Sequence, residues 1–398
     1  MMVREVRPLL LAADIERPVR TSFGTMARRY TLLVEVLTDA GLRGLGEVWC
    51  NFPPWAPVDR IALLQAMAPA LVGADPTRPA AVWERLLRGN EVLGLQWGAP
   101  GPVRHVLSGI DTALWDIAAQ AAGLPLYRLL GGAAPGAQAG VGAQAGVGAW
   151  PGVGPGAGAG ATVPVYASGL DPECAEAMAA RQLALGVTAF KLKVGFGAEA
   201  DQRAARALRE VVGAAARIMV DANQAWTPRQ AVAAIAGLAG AGLHWVEEPV
   251  RCDDLRGLAE VRRAAGVPTA AGENLYGLAA AQAAVALDAV DVLQPDVSKT
   301  AGVTESLAVA RLAHAHGRRC ALHFLGGAVG LMASAHVAAA AAGGPLWLEL
   351  DANANPLREG LLVEPPAVRD GALLLPAGPG LGVALDPAAL RRYRVDLP

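Results

Sequence analysis

The sequence predicts an α/β protein: a TIM-like (β/α) barrel with an N-terminal α+β capping domain completed by the C-terminal tail. The barrel rests on eight short apolar runs, at 164–168, 189–194, 217–223, 244–249, 269–274, 291–296, 320–324 and 346–350. Successive runs start roughly 22 to 29 residues apart, about one βα unit each. Amphipathic Ala/Leu/Arg-rich stretches such as 199–214 and 228–241 lie between them, so strands alternate with helices as in a closed parallel sheet. The cap rests on a different rhythm in residues 1–130. There 31–49 reads as two strands around a turn at Asp39, Ala40 and Gly41, followed by helical patterns at 58–72, 77–89 and 105–122.

These patterns divide the chain into a capping domain (1–130), an insert (131–162), a catalytic barrel (163–358) and a returning tail (359–398). The insert, GGAAPGAQAGVGAQAGVGAWPGVGPGAGAGA and its flank, is repetitive and nearly uncharged. It offers nothing for a specific core and is expected to behave as a flexible linker. The tail is Pro/Gly-rich and is expected to pack back on the cap.

The formal net charge of −2 gives no bulk attraction to nucleic acid or anionic membrane. Four cysteines (Cys50, Cys174, Cys252, Cys320) show no metal-like spacing and read as free thiols of a cytoplasmic protein. The N-terminal apolar run is too short for a signal peptide, and the Ala-rich runs are too short or interrupted to span a bilayer. Of 34 basic residues only Lys191, Lys193 and Lys299 are lysines. Arg does not surrender its proton, whereas a buried Lys can. Two lysines kept in the apolar run AFKLKVGF therefore point to an amine that titrates.

Barrel active sites lie at the C-terminal ends of the strands, and this chain's polar residues fall there. Strand two ends in Lys191 and Lys193, strand three in Asp221 and Asn223, strand four in Glu247 and Glu248, and strand five in Glu273 and Asn274. Asp296 ends strand six, His323 lies on strand seven, and Glu349 and Asp351 end strand eight. Alternation puts Lys191 and Lys193 on one face, the lumen. Carboxylates on three adjacent strand ends repel in a low-dielectric mouth, and a divalent cation relieves that. Oxygen-only donors favour a hard ion, Mg²⁺ first and Mn²⁺ second. The plainer alternative, carboxylates capping the following helices, suits Asp but not Glu247 and Glu273.

In this order, one per strand, KLK, VDAN, VEEP, GEN, QPD, HF and LEL resemble the mandelate racemase group of the enolase superfamily. SGIDTALWDIAAQAAGLPLYRLLGG (108–132) is similar to that family's cap-to-barrel helix, and GLRGLGEVWC to its cap hairpin. The resemblance implies Asp221, Glu247 and Glu273 as ligands of Mg²⁺ and a small-molecule carboxylate as substrate. It implies Lys193 as the general base on one face, with its pKa lowered by Lys191, which also contacts the carboxylate. His323, oriented by Asp296, is the acid/base on the other face. Glu349 hydrogen-bonds the enolate oxygen as a neutral acid. Asp296 separates this chain from the muconate-lactonizing and dipeptide-epimerase branch, which has a second Lys at that position.

The implied reaction is removal of a proton next to a carboxylate. The leading expectation is dehydration of an acid sugar (aldonate or aldarate); racemisation of a 2-hydroxy acid and isomerisation of an aldarolactone share its first half. Asn223, Lys191, Arg28, Trp49 and Asn51 are the expected substrate contacts, the last three reaching the distal end from the cap. A homo-oligomer is expected. A Schiff-base aldolase using Lys191 or Lys193 would not need the three carboxylates. A non-catalytic scaffold would have lost site residues, and none is lost.

Overall fold

The computed structural model describes residues 1–132, 161–341, 344 and 346–396. Apart from its ends, the insert expected at 131–162 lies outside the described residues. Strands β1 (Val3–Thr21), β2 (Gly24–Thr38) and β3 (Arg43–Val48) form an antiparallel sheet in the order β1-β2-β3. β2 and β3 are the expected pair, turning through Gly41 at φ 81°. The 19-residue β1 is an addition. It tolerates Pro8 and Pro18 because it is an edge strand, where a missing N–H breaks no ladder.

This sheet is buried on both sides. Leu10, Leu32, Val34, Val36 and Val48 join a core with the helices Ala56–Met67, Pro79–Trp97 and Pro100–Ala121. Leu9, Leu11, Ala13, Leu33 and Leu45 face the other way into the barrel's own core. The apolar run Leu32, Leu33 and Val34 follows, since at the middle of β2 both faces are packed. β3 lies so close to the helix Pro100–Ala121 that a Cβ on Gly46 would sit 1.9 Å from the Gly109 carbonyl oxygen. Only glycine fits there.

The eight expected barrel strands are all present: β4 (Thr162–Leu170), β5 (Ala189–Lys193), β6 (Arg217–Asp221), β7 (Leu243–Glu247), β8 (Thr269–Ala271), β9 (Val292–Leu293), β10 (Arg319–Leu322) and β11 (Trp347–Asp351). They pair in parallel in chain order, and β11 closes on β4. The register sets Lys193 beside Asp221 and Asp221 beside Glu247. Asp296 and His323 form a parallel bridge just beyond β9 and β10.

The tail serves both units. β12 (Val368–Arg369) and β13 (Ala372–Leu374) form a hairpin that adds antiparallel to β4. Further on, the tail returns to the cap as expected: Val395 donates its N–H to the Leu10 carbonyl, and the Leu381 N–H donates to Asp116. No described helix is long and apolar enough to cross a membrane.

Candidate active site

Each barrel strand contributes to a layer across the lumen: Tyr166, Ala189, Met219, Trp245, Ala270, Val292, Ala321 and Trp347. Two residues further along every strand, on the same face, stand Ser168, Lys191, Asp221, Glu247, Gly272, Gln294, His323 and Glu349. The period of two that builds the core thus delivers the charged groups to the mouth.

Lys191 is buried and donates to Glu247 at 2.5 Å and to Glu349 at 3.0 Å. Burial alone would lower its pKa, but Glu247, Glu349 and Asp221 outweigh burial and raise it. Lys193 donates to Asp221 at 2.6 Å and to Asn223 at 2.8 Å. Its expected pKa depression is not what this structure gives. Burial and Lys191 both push it down as anticipated, yet the Asp221 carboxylate together with Glu273 more than cancels them and the net direction is up. Glu349 accepts from Lys191, from the Tyr166 hydroxyl at 3.0 Å and from the Ser168 hydroxyl. Glu247 also accepts from Gln294 at 2.6 Å.

On the other flank, His323 Nδ1 lies 2.7 Å from Asp296 Oδ2 and its Nε2 is 3.3 Å from Glu273. Burial disfavours the imidazolium, but Glu273, Glu349 and Asp296 together hold its pKa up at about 9. Lys299, buried in the turn Val297–Ala301 after β9, donates to Glu273 at 2.7 Å, with its ammonium 4.6 Å from the centre of the Trp49 ring. The expected site thus lacked one amine. The signal was present, since Lys299 is one of only three lysines.

The cap residues fall out differently. Trp49 and Asn51 reach the seam with the barrel, where the Asn51 amide donates to the Leu325 carbonyl at 3.1 Å. Arg28 stays exposed and pairs with Asp14 at 3.4 Å, apart from the converging groups, so its expected role as a substrate contact is not supported. Its neighbour Arg29 turns inward instead and is buried against Asp351 at 2.6 Å. Neighbours on opposite faces of a strand must part in this way.

Among the described residues, no three Asp, Glu, His or Cys side chains stand close enough, as oriented, to share one metal ion. Asp221, Glu247 and Glu273 are each turned onto a lysine. The donor chemistry nevertheless fits a hard divalent cation. Fully ionised, the six carboxylates of Asp221, Glu247, Glu248, Glu273, Asp296 and Glu349 face Lys191, Lys193, Lys299 and the His323 imidazolium, leaving an excess of two negative charges. Burial pushes Glu247 up to about 7 and Glu248 to about 8, and neighbouring carboxylates add to both shifts.

The Enolase C-terminal domain-like family model matches residues 173–389. The Mandelate racemase / muconate lactonizing enzyme N-terminal domain model matches residues 5–131. D-galactarolactone cycloisomerase of Agrobacterium fabrum is 33% identical over 100% of both chains. Further relatives are named arabinonate dehydratase, D-xylonate dehydratase, L-talarate/galactarate dehydratase and hydrophobic dipeptide epimerase. A mandelate racemase/muconate lactonizing enzyme from Bordetella bronchiseptica has a similar structure: TM-score 0.83, 38% identity, 98% of this chain and 99% of that one. An enolase from Bradyrhizobium, solved with magnesium and mandelic acid, matches with TM-score 0.82, 28% identity and 99% of each chain. With both family models matched in order over most of the chain, the chain belongs to the mandelate racemase and muconate lactonizing enzyme group of the enolase superfamily.

Proposed function

We propose that this protein abstracts the proton next to a carboxylate with the help of Mg²⁺, and dehydrates an acid sugar (aldonate or aldarate) to a 2-keto-3-deoxy acid. Asp221, Glu247 and Glu273 would hold the ion. Once bound, it would supply counter-charge to the substrate carboxylate and replace Lys193 as the partner of Asp221. Lys193, three strands away from His323 around the ring, takes the α-proton in its neutral form; burial and the Lys191 ammonium push it that way, and capture of Asp221 by the ion would remove the carboxylate that otherwise holds its pKa up. The Lys191 ammonium stands next to the carboxylates and meets charge that develops on the substrate. His323, held by Asp296, gives its proton to the departing β-hydroxyl, which leaves as water. The enol that remains tautomerises to the keto acid.

The observation that carries this reading is the Asp296–His323 pair at 2.7 Å, set in the same mouth as Lys193. A second reading, aldarolactone cycloisomerisation, is favoured by the relative that matches over the full length of both chains. The test is a panel of aldonates, aldarates and aldarolactones with Mg²⁺, scored for 2-keto product, ring-opened product and deuterium uptake at the α-carbon. Keto acid formed from an open-chain aldonate or aldarate with Mg²⁺, and lost on chelation, supports dehydration. Ring-opened keto acid formed from the aldarolactone but not from the open-chain acids selects the cycloisomerase, and undiminished turnover in the metal-free protein overturns the metal assignment.

A further inference from the structure

Glu47 sits in the capping strand β3, outside the barrel strands that carry the chemistry, yet it is only 2% exposed and reaches across the seam into the barrel. One carboxylate oxygen accepts the Gly327 N–H at 2.5 Å and the other the Gly330 N–H at 2.8 Å. These amides open the helix Ala328–Ala340, and the chain that leads into it, Phe324 to Gly327, follows directly on His323. Among the described residues no cation pairs with Glu47, so the two amides are what this buried carboxylate is held by.

The loop is shaped to the carboxylate. A Cβ on Gly326 would lie 2.7 Å from one Glu47 oxygen, a Cβ on Gly327 3.0 Å from the other, and a Cβ on Gly330 3.2 Å from the carboxyl carbon. The neighbouring residues of the same capping segment extend the grip. Asn51 donates to the Leu325 carbonyl at 3.1 Å. The Trp49 N–H donates to the Ser298 carbonyl at 3.0 Å, and the Ser298 N–H in turn donates to Asp296 at 2.7 Å. Residues 47–51 of the cap therefore hold the backbone behind both members of the Asp296–His323 pair.

We propose that Glu47 is a positioning residue: by clamping the backbone that follows His323, it lets the docked cap set the aim of the imidazole at the substrate. The proposal rests on the reading of His323 as the acid/base of one face. Misplacing a catalytic group by about 1 Å can cost on the order of 100-fold in rate, which is the scale expected here.

The experiment compares wild type, Glu47→Ala, Glu47→Gln and His323→Asn with Mg²⁺ in heavy water. The probes are the sugar acid from the panel that the wild type accepts and its C2 epimer, which present the α-proton to opposite faces. In Glu47→Ala, exchange at the His323 face falls about 100-fold while exchange at the Lys193 face stays within about three-fold, a split that general loss of structure would not produce. Glu47→Gln, which keeps one acceptor, falls between. Amide exchange by mass spectrometry, which needs no substrate, shows the peptide 324–331 losing protection in both variants. Equal loss at both faces in a folded variant, or no loss at either, overturns the proposal. If His323→Asn itself leaves the exchange of that face untouched, the acid–base reading fails, whatever Glu47 does. If His323→Asn loses it while both Glu47 variants keep it, only the positioning role fails.

Discussion

The two lumen layers of the barrel come from the same strands and the same faces, two residues apart, roughly 6.6 Å at the usual rise per strand residue. The lower layer is Tyr166, Ala189, Met219, Trp245, Ala270, Val292, Ala321 and Trp347, nearly all apolar or aromatic. The upper one carries Lys191, Asp221, Glu247, His323 and Glu349. In the lower layer, packing removes apolar surface from water and stabilises the fold. In the upper layer, burial costs free energy unless each charge finds a partner. The lower layer plugs the barrel and gives the upper one a rigid, dry floor.

The largest expected effect lies in the upper layer. Glu247→Gln is predicted to lower turnover by several orders of magnitude and to weaken Mg²⁺ binding severely, read by titration calorimetry and kcat. Its Tm should fall, since the buried Lys191 ammonium loses the carboxylate it donates to at 2.5 Å and keeps Glu349 as its hydrogen-bonded partner. The converse belongs to the lower layer. Trp347→Ala is expected to cost about 3–5 kcal/mol of stability in chemical denaturation, with a smaller effect on turnover than Glu247→Gln has. If Trp347→Ala proves the worse catalyst of the two, the division between layers fails.

Tyr166 joins the layers, since its ring packs below while its hydroxyl donates upward to Glu349 at 3.0 Å. Tyr166→Phe should move stability by about 1 kcal/mol while lowering kcat more than it raises KM. An unchanged kcat would show that the bond only closes the floor.

Much of this was legible in the sequence, because each barrel strand is an apolar run ended by a turn and alternation assigns its face. Lys191 and Lys193, or Asp296 and His323, can be placed with nothing more. β1 was not legible: Pro8, Pro18 and scattered charges mask a strand that edge position permits. Glu47 was not legible either, because the amides it caps lie 280 and 283 residues away and only the docked cap brings them together. Asn51 is the mirror case: a polar residue in the right segment suggests a substrate contact, and the structure adds a bond from its amide to the Leu325 carbonyl that the sequence does not show.

The cap–barrel seam adds a third environment, buried carboxylates held by amides and hydroxyls rather than by cations. Asp111 caps the helix Gly302–Ala315 through Thr304, and burial pushes it up from 3.8 to about 7. A carboxyl whose folded pKa is raised contributes stability that is fully present below its unfolded pKa and lost as pH rises through the folded one. Wild-type Tm should therefore fall relative to Asp111→Asn between about pH 4 and pH 7, by a few degrees in calorimetry. A constant difference across that window would mean that Asp111 does not titrate there.

The central claim is that one α-carbon lies between Lys193 and His323. Lys193→Ala and His323→Asn are each followed by NMR in heavy water with Mg²⁺ and an accepted substrate. Each variant is expected to lose turnover by several orders of magnitude, while the α-proton still exchanges with solvent through the remaining residue, from the accepted substrate in His323→Asn and from its C2 epimer in Lys193→Ala. Normal turnover in both single variants would contradict the claim.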